Sequence, residues 1–291
     1  MFETQTRPAC FGGGKVQKNH GEGPFCVYGK ACCFLPYEGF PVPISDFTYS
    51  AYSQLIYSIT DNGYTFCNYH DYEGVSKPCI LCHDIDYDIE KALRLARLEA
   101  DSHSLRSTYF VLLNTNLYNL FSGSSNAMLM EIMKIGHEVG LHFDESNYTQ
   151  MGNCQDLLPL EKYIQKEISL LEQIIEHPVN AISMHRPSKI TLESNIAIPG
   201  VVNRYSQVFF SDFKYISDSR HNWREDIEGI VLSKKYEKLH ILTHPFWYTE
   251  QKQTCRDKLL SFITSANRKR HKDMQSNFSD LDEFVLQEEI I

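Results

Sequence analysis

No stretch of this 291-residue chain approaches the ~18 consecutive apolar residues of a membrane-spanning helix, and we expect no transmembrane segment. The N-terminus, Met1-Phe2-Glu3-Thr4, lacks both the basic and the apolar region of a secretory leader, so the expected compartment is the cytosol. Positive charge is short as well. Lys and Arg total 28 against 37 Asp and Glu, a net charge of −9 that repels phosphate backbones and anionic lipid, so no nucleic-acid partner is expected. The one basic run, Arg268-Lys269-Arg270-His271-Lys272, has no interleaved aromatics and reads as a solvated helix face. Nine cysteines, an odd number scattered along a long chain, do not make a disulfide framework. Cys79 and Cys82 spell a C-x-x-C, but inside an apolar run read as a strand, where positions i and i+3 face opposite ways; they are expected as two core thiols. No internal repeat is present.

What the chain does have is a large apolar share, 42% with 12% aromatic, enough to bury a sizeable core and to exclude disorder as its main state. Residues 1–47 are rich in Gly, Pro and Cys, show no periodic apolar pattern, and read as an irregular extension. Within them Gly12-Gly13-Gly14-Lys15 lacks the spacing of a phosphate loop, and Cys10, His20, Cys26, Cys32 and Cys33 do not fall at zinc-finger intervals. From residue 48 to 291 short β-like runs alternate with amphipathic helical ones, the signature of βα units around a parallel sheet. Tyr52, Leu55, Ile56 and Ile59 are spaced for a helix that stops at Asn62-Gly63; further helices are expected from Ile89 to about Ala100, from Met128 to Ile135 and from Leu160 to Ile175. Strands are expected at 78–82, 107–113, 138–142, 181–184, 208–210, 230–232 and 239–242. About seven strands with intervening helices is the content of a closed or nearly closed α/β barrel.

The polar residues gather where these strands end. Leu81-Cys82 leads into His83-Asp84-Ile85-Asp86, Gly140-Leu141 into His142-Phe143-Asp144-Glu145, Ser183-Met184 into His185-Arg186-Pro187, and Leu242-Thr243 into His244-Pro245. In an α/β barrel the strand ends share one face, where active sites form. Asp84 and Asp86, one residue apart on a strand end, point to the same side, which is costly unless a cation neutralises them or one stays protonated. A divalent metal removes that repulsion, and His142 on a neighbouring strand is a plausible nitrogen ligand.

In this order the motifs Ile80-Leu81-Cys82-His83-Asp84-Ile85-Asp86, Ser107-Thr108-Tyr109-Phe110-Val111, Gly136-His137-Glu138-Val139-Gly140-Leu141-His142, His185-Arg186-Pro187-Ser188 and Leu242-Thr243-His244 resemble the polysaccharide deacetylases of the NodB-homology type, the carbohydrate esterase family 4 kind, over about residues 48–250. The resemblance implies a distorted (β/α)7-type barrel that holds a divalent metal, zinc, and removes an acyl group, usually acetyl, from the nitrogen of an amino sugar. It further implies Asp84 as general base, Asp86 and His142 as metal ligands, Arg186 as the residue that orients the base, and His244 as general acid with Asp218 and Trp223 as supports. Two departures mark a divergent branch: Ile85 separates acids that are usually adjacent, and Ser146 stands where the second histidine belongs. Asp144, Glu145, His185 and water are the candidates for the third ligand, with His185 taken as the protein's choice.

As chemistry, Asp84 takes a proton from water, His244 as imidazolium protonates the departing nitrogen, and the backbone N–H following Pro187 helps hold the oxyanion. The expected substrate is an amino sugar or a sugar-containing precursor of a surface glycan. Two other readings stand beside this one: a non-catalytic carbohydrate-binding barrel whose metal site has decayed, suggested by Ser146, and another metal-dependent amidohydrolase or phosphoesterase on a similar barrel.

Overall fold

Thr48 opens the first helix, its side chain accepting from the Ala51 amide, and Tyr52, Leu55, Ile56 and Ile59 fall on the buried face before Gly63, at φ 85°, ends the element. The same capping logic recurs at Asp88, which accepts from the Glu90 and Lys91 amides, at Ser122, and at Thr254. The computed structural model describes residues 42–149 and 158–290; the expectations placed on residues 1–41 lie outside the described residues. The described residues belong to one compact unit. Ile44 and Phe47 already pack against Tyr52 and Tyr248, so core packing begins a few residues before position 48.

In chain order the elements are α1 (Tyr49–Asp61), β1 (Thr65–Cys67), β2 (Pro78–Ile85), α2 (Ile89–His103), β3 (Thr108–Leu112), α3 (Gly123–Lys134), β4 (Glu138–Asp144), α4 (Ser146–Thr149), α5 (Leu158–Ile175), β5 (Ala181–His185), α6 (Lys189–Glu193), β6 (Val202–Asn203), α7 (Gln207–Ser211), β7 (Lys214–Ser217), α8 (Ile227–Ser233), β8 (Leu239–Thr243) and α9 (Cys255–Gln275). All strand pairs are parallel, in the order β6-β5-β4-β3-β2-β8-β7, with the short β1 added beside β2. Strand β2 is buried along its whole length. A parallel strand covered on both sides reads as a continuous apolar run, and this one does until its charged end.

Curling of the sheet follows from one contact. Arg204, just after β6, reaches Asp84 on β2 at 3.3 Å although three strands lie between them in the sheet. Only a sheet bent round a common interior brings those two strands together, which gives the distorted (β/α)7-type barrel. Its floor is apolar, formed by Ile80, Cys82, Phe110, Ala181, Phe209, Phe213 and Leu242, with the helices packed outside. Cys79 points to the outer cluster and Cys82 to the floor, both as free thiols.

Two expected strands are helices. Val208-Phe209-Phe210 lies in α7 and Ile230-Val231-Leu232 in α8. Each run buries one side only: Phe209 and Val231 are buried while Phe210 and Leu232 are exposed, and three apolar residues cannot by themselves separate helix from strand. The strands that complete the sheet are β6 and β7. Among the described residues no helix is long and apolar enough to cross a membrane. The basic run lies on α9, with Arg268, Lys269, Arg270 and Lys272 exposed and His271 turned inward to the Val285 carbonyl.

Candidate metal centre and active site

The C-terminal ends of β2, β4, β5, β6, β7 and β8 meet above the apolar floor. Because side chains alternate along a strand, Asp84 and Asp86 share the inner face and His83 takes the outer one. There His83 pairs with Glu99 and Thr243, away from the site.

Three side chains converge. His142 Nε2 lies 3.3 Å from Asp86 Oδ1, His185 Nδ1 lies 3.5 Å from that same oxygen, and the two nitrogens are 3.1 Å apart. A tetrahedral ion with bonds of ~2.1 Å holds its ligand atoms roughly 3.4 Å apart, so this spacing suits a small divalent cation. Asp86 Oδ1 is buried without a hydrogen-bond partner among the described residues, a costly state that a cation relieves. Asp86, His142 and His185 are also the one group among the described residues whose donor atoms are arranged to hold a metal. Burial pushes the Asp86 carboxyl up, but the His142 and His185 imidazoles beside it and the charge of His244 outweigh it and hold the group well below the usual carboxylate range.

The other candidates for the third ligand are occupied elsewhere. Glu145 accepts from the Ser188 amide and from Thr191 Oγ1, tying the end of β4 to α6. Asp144 accepts from the Ser146 amide and hydroxyl and from Arg186. Since the Ser188 N–H following Pro187 donates to Glu145 at 2.6 Å, it is not available to an oxyanion.

Asp84 sits on one side of these three side chains, its Oδ2 3.6 Å from His142 Nε2. The cation beside it is Arg204, with Nη1 3.3 Å from Oδ1 and Nη2 3.3 Å from Oδ2. Arg186, which the motif resemblance assigns to this task, is elsewhere: its backbone is left-handed at φ 49°, and its guanidinium, 71% exposed, donates to Asp144 at 2.6 Å. The left-handed turn carries the side chain to the rim, so the contact with Asp84 falls to a residue the motifs did not single out. Arg204 follows a two-residue strand with no periodic pattern; the sequence signal was only an arginine after Val201-Val202-Asn203.

On the opposite side His244 Nδ1 donates to Asp218 at 2.6 Å, leaving Nε2 directed at the site, 3.8 Å from Asp86 Oδ2. Asp218 also accepts from the His244 amide and the Tyr248 hydroxyl. Burial disfavours the His244 imidazolium, yet the hydrogen bond and charge of Asp218, with Asp86 and Asp84, lift its pKa to about 9. Trp223 stacks on Phe47, and Phe246, Trp247 and Tyr248 are buried, so this aromatic stretch packs the core.

The fold and these residues define a class: a curled parallel (β/α)7-type barrel whose strand ends carry an Asp/His/His metal cradle between an Asp–Arg pair and a His–Asp pair. No family model and no curated protein matches the chain. It is similar to solved structures of CE4 deacetylases and esterases. They include a family 4 carbohydrate esterase from Bacillus anthracis, at 14% identity over 73% of this chain and 83% of that one with a TM-score of 0.37. A chitin deacetylase from the fungal pathogen Colletotrichum lindemuthianum is 13% identical over 66% and 83%, with a TM-score of 0.39. BA3943, a CE4 family pseudoenzyme from Bacillus anthracis, is 16% identical over 65% of this chain and 60% of that one, less than two thirds of its length, with a TM-score of 0.36. The likeness is remote throughout, and the fold assignment rests on the strand order of this chain.

Proposed function

We propose that the chain is a metal-dependent hydrolase that removes an N-acyl group, acetyl, from an amino sugar or a sugar-containing glycan precursor. The observation that carries this reading is the convergence of Asp86 Oδ1, His142 Nε2 and His185 Nδ1 around a buried, unpartnered oxygen, flanked by one group suited to take a proton and another suited to give one. Two imidazoles and a carboxylate in near-tetrahedral array suit zinc. A bound divalent ion supplies Lewis acidity to the scissile carbonyl and makes water more acidic near neutral pH.

The chain's own residues do the rest. Asp84, turned and charge-balanced by Arg204, accepts the proton of the attacking water. His244 gives its Nε2 proton to the nitrogen that leaves as an amine, while Asp218 holds the ring in the required tautomer. His185 at the end of β5 offers the imidazole that Ser146, at the start of α4, does not, which supports this reading over a decayed site.

Purified protein is expected to carry about one divalent ion per chain by elemental analysis and to release acetate from an N-acetylated sugar in a screen, with the release lost on chelation. Asp86→Ala and His142→Ala each remove one of three protein ligands and should abolish metal binding. Full metal occupancy in both variants would overturn the centre. A metal-loaded protein that binds glycans and releases no acetate would make it a binding barrel.

A further inference from the structure

The two histidines of the cradle are held differently. His142 presents Nε2 to the centre, and its Nδ1 is buried with no hydrogen-bond partner among the described residues. His185 presents Nδ1, so the opposite edge of its ring, carrying Nε2, faces outward from the centre. What lies there is Asp144, with Oδ2 3.9 Å from His185 Nε2. Asp144 and His185 are directly paired residues at the ends of β4 and β5, which places their side chains side by side on the inner face.

Asp144 is itself held firmly. Its Oδ1 accepts from the Ser146 amide at 3.0 Å and from the Ser146 hydroxyl at 2.6 Å, and its Oδ2 accepts from Arg186 at 2.6 Å. The carboxylate is 6% exposed. A carboxylate behind a ligating imidazole fixes which nitrogen carries the proton and strengthens the other as a donor. At 3.9 Å the contact is electrostatic, too long for a hydrogen bond.

We infer that Asp144 is a positioning residue of the metal centre, keeping the His185 proton on Nε2 so that Nδ1 faces the ion. This rests on the metal reading above. Arg186 competes for the same Oδ2, so it tempers the pull of Asp144 on His185 and is not the source of it.

The test is the zinc dissociation constant of full-length protein, measured by competition with a chelating dye, for wild type, Asp144→Asn and Arg186→Gln. Asp144→Asn keeps the shape and removes the charge. It should weaken zinc about 10-fold, the lower end of the cost of losing a hydrogen-bonded partner because this contact is electrostatic, while the thermal midpoint of the chelator-treated protein stays within a few degrees of wild type. Arg186→Gln should bind zinc at least as tightly as wild type. The visible bands of cobalt-loaded Asp144→Asn should shift, reporting an altered His185 donor. Equal zinc affinity in wild type and Asp144→Asn, or a loss in Arg186→Gln matching that in Asp144→Asn, would overturn the inference while leaving the centre in place. A wild type that binds no zinc would remove the centre itself.

Discussion

His244 and Arg204 occupy opposite sides of the cradle, and each can be tested by removing one side chain. Asp218 favours the charged form of His244, which can then donate a proton; on the proposed reading kcat should fall on the alkaline side as that imidazolium deprotonates. His244→Ala is expected to lower kcat by roughly 10²–10⁴ with metal content intact, whereas a change confined to KM would make the residue a binding contact. Arg204 is 1% exposed against a buried Asp84. Arg204→Met leaves that carboxylate without its cation and should cost about 3–5 kcal/mol in denaturant unfolding. Arg186→Met removes a cation that is itself 71% exposed from a carboxylate that keeps the Ser146 amide and hydroxyl, and should cost less, about 1 kcal/mol. Similar losses in the two variants would show that burial does not distinguish them. The acid pair, His142 and His244 were legible in the sequence because each follows an apolar strand directly. Arg204 was not, because β6 is too short to show any pattern.

Among the elements, β4 shows how backbone space serves the site. A Cβ on Gly140 would meet the Phe110 ring at 2.6 Å and the Ala181 carbonyl at 2.7 Å, so the missing side chain is what lets Phe110 lie across the strand. The Arg204 guanidinium rests over that ring, 5.6 Å from its centroid, before turning to Asp84. Gly140→Ala must displace the ring or the β5 backbone and should cost about 1–3 kcal/mol, measured by thermal or denaturant unfolding; a neutral result would mean that the floor has slack. Elements with long periodic patterns, such as α1, α2 and α5, were readable before the structure because burial of one face dictates their spacing. The runs at 208–210 and 230–232 were misread as strands because their helical period is too short to appear. The third member of the cradle was equally hidden: whether a loop acid or His185 meets Asp86 and His142 depends on which strands become neighbours, and that is a property of the sheet.

At the scale of the whole molecule, stability depends on buried ionisable groups outside the site. Glu167 on α5 accepts from Tyr148 and Asn114, and burial raises its pKa to about 7, opposed by those two hydrogen bonds. The folded state therefore binds this proton more tightly than the unfolded chain does. The associated stability is complete below the unfolded value near ~4.5 and is lost as pH rises through about 7. Glu167→Gln keeps the acceptor oxygen and abolishes the titration. It should raise stability by about 1–3 kcal/mol at pH 8 and change little at pH 4.5; a pH-independent effect would trace to packing instead.

The strand that leads into Arg204 is also the slightest in the sheet: β6 is two residues long, lies at one end of the strand order, and is joined to the neighbouring chain segment by the Val202 and Arg204 amides, which donate to the Asn180 and Ile182 carbonyls. Segments with so few ladder bonds open at a small fraction of the free energy of global unfolding. The guanidinium beside Asp84 is thus moored to a lightly bonded margin of the sheet. On the hydrolase reading proposed above, brief detachment of that margin would part Arg204 from Asp84 while the rest of the barrel stayed folded, setting a thermal limit to the chemistry below the limit of the fold.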